Sequence, residues 1–134
     1  MTATAIAGAN ALRDVVLVFK PRIALAIMLS ALGGIAVAPG AAPEAWRIAV
    51  LAAGVFLAAG AAGAFNQWAE HDLDARMTRT ARRPFVTVQF EADAIWLSAI
   101  GATLLISVLA VAWATNWWAA IHTFLGAFTY GVVY

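Results

Sequence analysis

"AAGVFLAAGAAGAF" occupies Ala52–Phe65 and runs without a break into "NQWAEHDLDARMTRTARRP" at Asn66–Pro84. The first stretch carries no charge, whereas the second delivers Glu70, Asp72 and Asp74 and then Arg76, Arg79, Arg82 and Arg83. With Ile48–Leu51 ahead of it, the apolar run approaches the ~20 residues that carry a helix across a hydrocarbon layer about 30 Å thick. A helix satisfies its own backbone polar groups there, which an isolated strand in lipid cannot do.

Three further stretches read the same way: Pro21–Ala38, Ala94–Ala114 and Trp117–Tyr134. Together with Ile48–Phe65 they predict an all-α, multi-pass transmembrane helical bundle of about four spanning helices. Pro21 suits a first helical turn, where its missing N–H costs nothing, and "APGAAP" at Ala38–Pro43 is turn material. "ATN" at Ala114–Asn116 separates the last two spans. The chain is 134 residues long and 64% hydrophobic, with mean hydropathy +0.86, too apolar to hide in the core of one water-soluble domain of this size.

A net charge of +1 gives no bulk attraction for nucleic acid, and no tract interleaves basic and aromatic residues, so nothing points to DNA or RNA and no nucleic-acid partner is expected. The lipid bilayer is the expected surrounding. Cysteine is absent, which removes disulfides, thiolate metal sites and a cysteine nucleophile. Met1–Asn10 lacks the positive start of a secretory signal, and residues 1–14 read as a flexible, exposed lead-in to a domain over 15–134.

Arg13, Lys20 and Arg22 precede the first span, Arg47 follows it alone, and the four arginines from Arg76 to Arg83 lie between the second and third. Seven of the eight basic residues thus fall on one side, which places the N-terminus and the polar segment 66–93 in the cytoplasm. In the second span Ala59 with Gly63, and Gly60 with Ala64, form small faces that suit close helix packing. The six tryptophans cluster near span ends, as an interfacial belt does.

Asn66, Glu70 and Asp74 are spaced four apart. On a continued helix each step turns about 400°, so the three share a face, rising about 12 Å in all, while Asp72 points elsewhere. An amide and two carboxylates are hard oxygen donors of the kind Mg²⁺ shares with substrate phosphates. Arg79 and Arg83, with Arg76 and Arg82 close by, suit forked hydrogen bonds to phosphate. Metal-ligating oxygens beside guanidiniums suggest a diphosphate ester as substrate. The competing reading is a solvated helix end whose charges pair with one another and anchor topology.

N-x-x-x-E-x-D-x-D at Asn66–Asp74, followed by "RT" at Arg79–Thr80 and "RP" at Arg83–Pro84, resembles the first acidic motif of the UbiA-type intramembrane prenyltransferases. More narrowly, the run from Asn66 to Pro84 is similar to the haem-farnesylating branch, the haem O synthases, with Glu70 in the first acidic place; "FKPRI" at Phe19–Ile23 is a second, weaker match. The likeness runs from about Phe19 to the last residue, where "YGVVY" at Tyr130–Tyr134 resembles the approach to the family's second polar motif. Since family members carry about nine spanning helices, the chain corresponds to an N-terminal half. A missing C-terminal half, or pairing between copies, would then complete the site.

The resemblance implies transfer of a farnesyl group from farnesyl diphosphate to a vinyl group of haem B, giving haem O, in a bacterial-type inner or plasma membrane. It implies Mg²⁺ on Asn66, Glu70 and Asp74, the catalytic set, and diphosphate on Lys20, Arg22, Arg79 and Arg83. Phe65, Trp68 and Tyr130 read as lipid or helix contacts, with stabilisation of an allylic cation as the alternative role.

His122 lies inside an apolar stretch, where haem ligation competes with a hydrogen bond to a neighbouring helix. His71 is turned about 100° from the ligand face and reads as solvated. Glu91 and Asp93 complement the N-terminal dipole of the third span. "FVTVQF" at Phe85–Phe90 alternates like a strand, but reads beside a bilayer as a surface-lying connector.

Two rival functions remain: prenylation of a quinone or other aromatic precursor, against which Glu70 and the following D-x-D argue, and a non-catalytic membrane protein that binds a cation or a partner. A transporter would bury an acid at mid-membrane depth, and no span contains one.

Overall fold

The computed structural model describes residues 3–133, in the order α1 (Ala3–Val18), α2 (Pro21–Val37), α3 (Ala45–Ala69), α4 (His71–Asp74), α5 (Ala94–Ala114) and α6 (Trp117–Phe128), with a π-helical end at Thr129–Val133. No strand occurs among the described residues, and the architecture is an all-α membrane bundle.

The count of spans differs from the expectation of four. Among the described residues only α3 and α5 are by themselves long and apolar enough to cross a bilayer. Gly8–Val18 and Pro21–Val37 qualify as one broken span, bent by 46°. The fourth stretch is helical over Trp117–Val133, up to the last described residue, and Tyr134 lies outside the described residues.

The lead-in is helical where it is described. Residues from Ala3 onward form α1, with Gly8–Arg13 exposed and Val18 fully buried at the other end. The helix breaks where Pro21 follows, because the proline ring disfavours an α conformation for the residue before it. Lys20 takes up the bend in the left-handed region (φ 47°), which costs on the order of 1–3 kcal/mol for a residue with a Cβ.

Helix α3 is the hub, with α2, α5 and α6 all packed on it. It is buried on every face from Ala58 to Ala64, and every residue in that run is Ala or Gly. Small side chains let three neighbours approach one helix at once. Gly54 shows how close: a Cβ there would lie 2.5 Å from Val111 Cγ2 of α5.

Helix α5 begins on Asp93, whose side chain accepts from the Trp96 backbone N–H at 3.0 Å, and α6 begins on Asn116, which accepts from Ala119 N–H at 2.9 Å. Such caps stabilise by roughly 1 kcal/mol each. Between α4 and α5 the chain runs in successive turns, and "FVTVQF" is neither a strand nor a surface connector throughout: Phe85 is 4% exposed and packs edge-on against Trp96, with Phe90 beside both. That aromatic cluster seals the polar segment onto the bundle core of Val18, Ala61, Ala64 and Ile100.

Candidate functional site

Helix α3 does not continue evenly through the acidic motif. It ends at Ala69, Glu70 forms its cap (φ −102°, ψ 10°), and α4 resumes at His71. Even so, Glu70 N–H donates to Asn66 O at 3.0 Å and Asp74 N–H to Glu70 O at 2.8 Å, so the four-residue register holds across the break. Asn66, Glu70 and Asp74 consequently line one cavity of about 850 Å³.

Lys20, Arg79, Arg82 and Arg83 line the same cavity, together with Gln67, Thr80 and Tyr130. Arg22 does not: it is exposed on α2, one residue past Pro21, and belongs with the surface charges. Arg76 is exposed outside the lining, and Asp72, with a side chain 90% exposed, points away as its angular position predicts.

Several polar groups in the wall are held by specific partners. Asp74 is only 4% exposed and accepts from the Arg83 guanidinium, an ion pair that compensates the burial of the carboxylate. The nearly buried Thr80 hydroxyl donates to Asp74 O at 2.9 Å, tying the turn after α4 back onto it. On the opposite wall, Lys20 Nζ donates to Asn66 Oδ1 at 3.1 Å and stands 5.9 Å from the centroid of the Tyr130 ring.

Gln67 makes the junction rigid. Its Nε2 donates to Val18 O at 3.0 Å, capping a C-terminal carbonyl of α1, and more weakly to Leu17 O at 3.4 Å, which also accepts from Lys20 N–H at 3.2 Å. Gly63 completes the fit, since a Cβ there would lie 3.3 Å from Lys20 Cδ and 3.4 Å from the Tyr130 hydroxyl. Gln67 is a residue that sequence reasoning passed over. Thr80 had a signal in the "RT" pair, but a glutamine beside an asparagine gives none.

Tyr130 also borders a second, mostly apolar cavity of about 460 Å³ between α2, α3 and α6, lined by Ile27, Val55, Ala59, Thr123 and Gly126 among others. A polar chamber rich in charge thus adjoins a greasy one across a single aromatic ring. His122, on the apolar side, is exposed and places Nδ1 2.8 Å from Trp118 O on its own helix. His71, half-buried in α4, places Nδ1 2.7 Å from Trp68 O of α3.

Two carboxylates and an amide offer hard oxygens that fit Mg²⁺ when a diphosphate completes the coordination. No cluster of three or more His, Cys, Asp or Glu able to hold a metal unaided occurs among the described residues. The donor set therefore suits an ion that arrives with its phosphate ligands.

Comparison with known proteins adds three relatives and a family. Residues 27–134 match the UbiA prenyltransferase family. "Protoheme IX farnesyltransferase 2" of Paramagnetospirillum magneticum is 46% identical over 87% of this chain and 41% of its own length. "Protoheme IX farnesyltransferase" of Jannaschia sp. is 40% identical over 90% of this chain and 38% of its own. The protein of that name from Anaplasma marginale is 36% identical over 96% and 42%. The chain spans about two fifths of the length of these relatives. No solved structure matches it.

Proposed function

Because the chain belongs to the UbiA prenyltransferase family, we propose that it forms the diphosphate-binding part of an enzyme that moves a farnesyl group from farnesyl diphosphate to a vinyl group of haem B, giving haem O. One observation carries this reading: Asn66, Glu70 and Asp74 share a cavity with Lys20, Arg79 and Arg83, next to an apolar chamber suited to flank a prenyl tail. The acceptor rests on the names of the relatives, which are protoheme IX farnesyltransferases.

Asn66, Glu70 and Asp74 would hold Mg²⁺, which when bound with the diphosphate offsets negative charge on the leaving group. Arg79 and Arg83 bind diphosphate oxygens through forked hydrogen bonds, and Lys20 adds a point charge. These fixed cations act most strongly as the C1–O bond of farnesyl diphosphate breaks and charge collects on the departing diphosphate. The apolar chamber keeps water from the allylic cation until C1 bonds to the terminal vinyl carbon. The new cation, next to the pyrrole, takes a water oxygen and loses a proton, leaving the hydroxyethylfarnesyl side chain; no redox step is required.

We place residues 15–134 in this prenyltransferase unit, with 66–93 and the N-terminus on the cytoplasmic side, as the arginine distribution supports. The chain by itself should turn over little or nothing. Membranes in which it is supplemented with the C-terminal part of the Paramagnetospirillum relative should convert haem B to haem O when given farnesyl diphosphate and Mg²⁺. Glu70→Gln or Asp74→Asn should abolish conversion. Conversion unaffected by both substitutions would remove the metal assignment, and prenylation of an aromatic acid with haem untouched would remove the acceptor.

A further inference from the structure

Two of the oxygen donors assigned to the metal are already held by cations of this chain, and the same cations are those assigned to the diphosphate. Lys20 Nζ donates to Asn66 Oδ1 at 3.1 Å, and Arg83 donates to Asp74. Resting on the reading above, we infer that Lys20 and Arg83 are internal counter-ions that occupy the metal's place and transfer to the diphosphate when metal and diphosphate enter together.

Burial makes such place-holders necessary. Asp74 is 4% exposed and Asn66 9%, and a buried carboxylate without a partner is strongly destabilising. Charge makes them exclusive. The cavity is lined by four cations, Lys20, Arg79, Arg82 and Arg83, against two carboxylates, Glu70 and Asp74. A divalent ion alone meets a net positive wall, whereas a diphosphate is attracted by it and brings oxygens for both the ion and the released cations.

The geometry allows the exchange without moving the backbone. Gln67 fixes the carbonyls of Leu17 and Val18, and Pro21 fixes the start of α2, so Lys20 is anchored at its Cα. Its stem runs past Gly63, where no side chain obstructs it, and its ammonium has three donors, of which one is on Asn66. A rotation about the four-carbon stem carries the charge from the amide into the cavity.

The test is Mn²⁺ binding followed by electron paramagnetic resonance on the 134-residue chain in phosphatidylcholine nanodiscs, with and without inorganic pyrophosphate. For the unmodified chain, Mn²⁺ should bind weakly alone and much more tightly with pyrophosphate. Lys20→Met should raise the affinity for Mn²⁺ alone by about tenfold or more, the scale expected for removing a charge a few ångströms away, and should shrink the gain from pyrophosphate. Lys20→Gln, which keeps a donor for Asn66, should do the same and decides the matter if the methionine variant does not fold. Unchanged or weaker binding of Mn²⁺ alone in the folded variants overturns the exchange while leaving the metal site standing. No Mn²⁺ binding to any form, even with pyrophosphate, overturns both.

Discussion

The Arg83 guanidinium is bound to the Asp74 carboxylate, nine residues back along the chain, with the acid almost wholly buried and the arginine side chain 25% exposed. This pair closes the polar turn onto α4 from one side while Thr80 closes it from beneath. Arg83→Met strands the carboxylate and should destabilise the protein by roughly 3 kcal/mol. Arg79→Met, at an exposed position of the same cavity, should change stability little. Thermal unfolding in detergent, read by circular dichroism, compares the two; equal losses would deny the pair its structural part.

Arg22 and Lys20 are separated by Pro21 alone, yet only Lys20 lines the cavity. Calorimetric titration with inorganic pyrophosphate and Mg²⁺ should therefore find Arg22→Ala close to the unmodified chain. Lys20→Ala and Arg79→Ala should each weaken binding by about tenfold, the loss of one charge-assisted contact. An equal loss for Arg22→Ala would put that side chain back in the site.

Gln67→Met removes both hydrogen bonds to the end of α1 and leaves the Val18 carbonyl uncapped, while Leu17 O keeps its bond from Lys20 N–H, a loss of about 1–3 kcal/mol. The junction should loosen before the bundle does. Hydrogen exchange at the amides from Lys20 to Ala24 should accelerate while those in the middle of α3 stay protected. Uniform acceleration would mean that Gln67 serves the whole fold rather than the junction.

At Gly63 the substitution to Val forces branched carbon atoms against Lys20 and Tyr130, and pyrophosphate binding should fall with modest loss of stability. Gly54→Val, against Val111 and Ser107, should instead separate α3 from α5, with a loss of about 1–3 kcal/mol or more. The two substitutions are chemically identical, so binding and melting measurements on both separate the site from the scaffold.

The apolar runs at Ile48–Phe65 and Ala94–Ala114 were legible because lipid solvation demands a long uncharged helix, a property of composition and length alone. The four-residue spacing of Asn66, Glu70 and Asp74 was legible for a similar reason: helical hydrogen bonds between near neighbours preserve it even across the kink at Glu70. Asp93 as a helix cap could be read in the same local way.

The helix at residues 3–18 and its bend at Lys20 were not legible, because the bend before proline depends on the distant Gln67 to hold the Val18 carbonyl. Burial of Phe85 depends on Trp96 and Phe90 arriving around it, so the reading of 85–90 as a surface-lying connector missed it. The choice between Lys20 and Arg22 is of this kind too. Local sequence determined which segments are helices and which groups carry the charge; packing on α3 decided which of those charges face one another, since that depends on contacts between residues far apart in the chain.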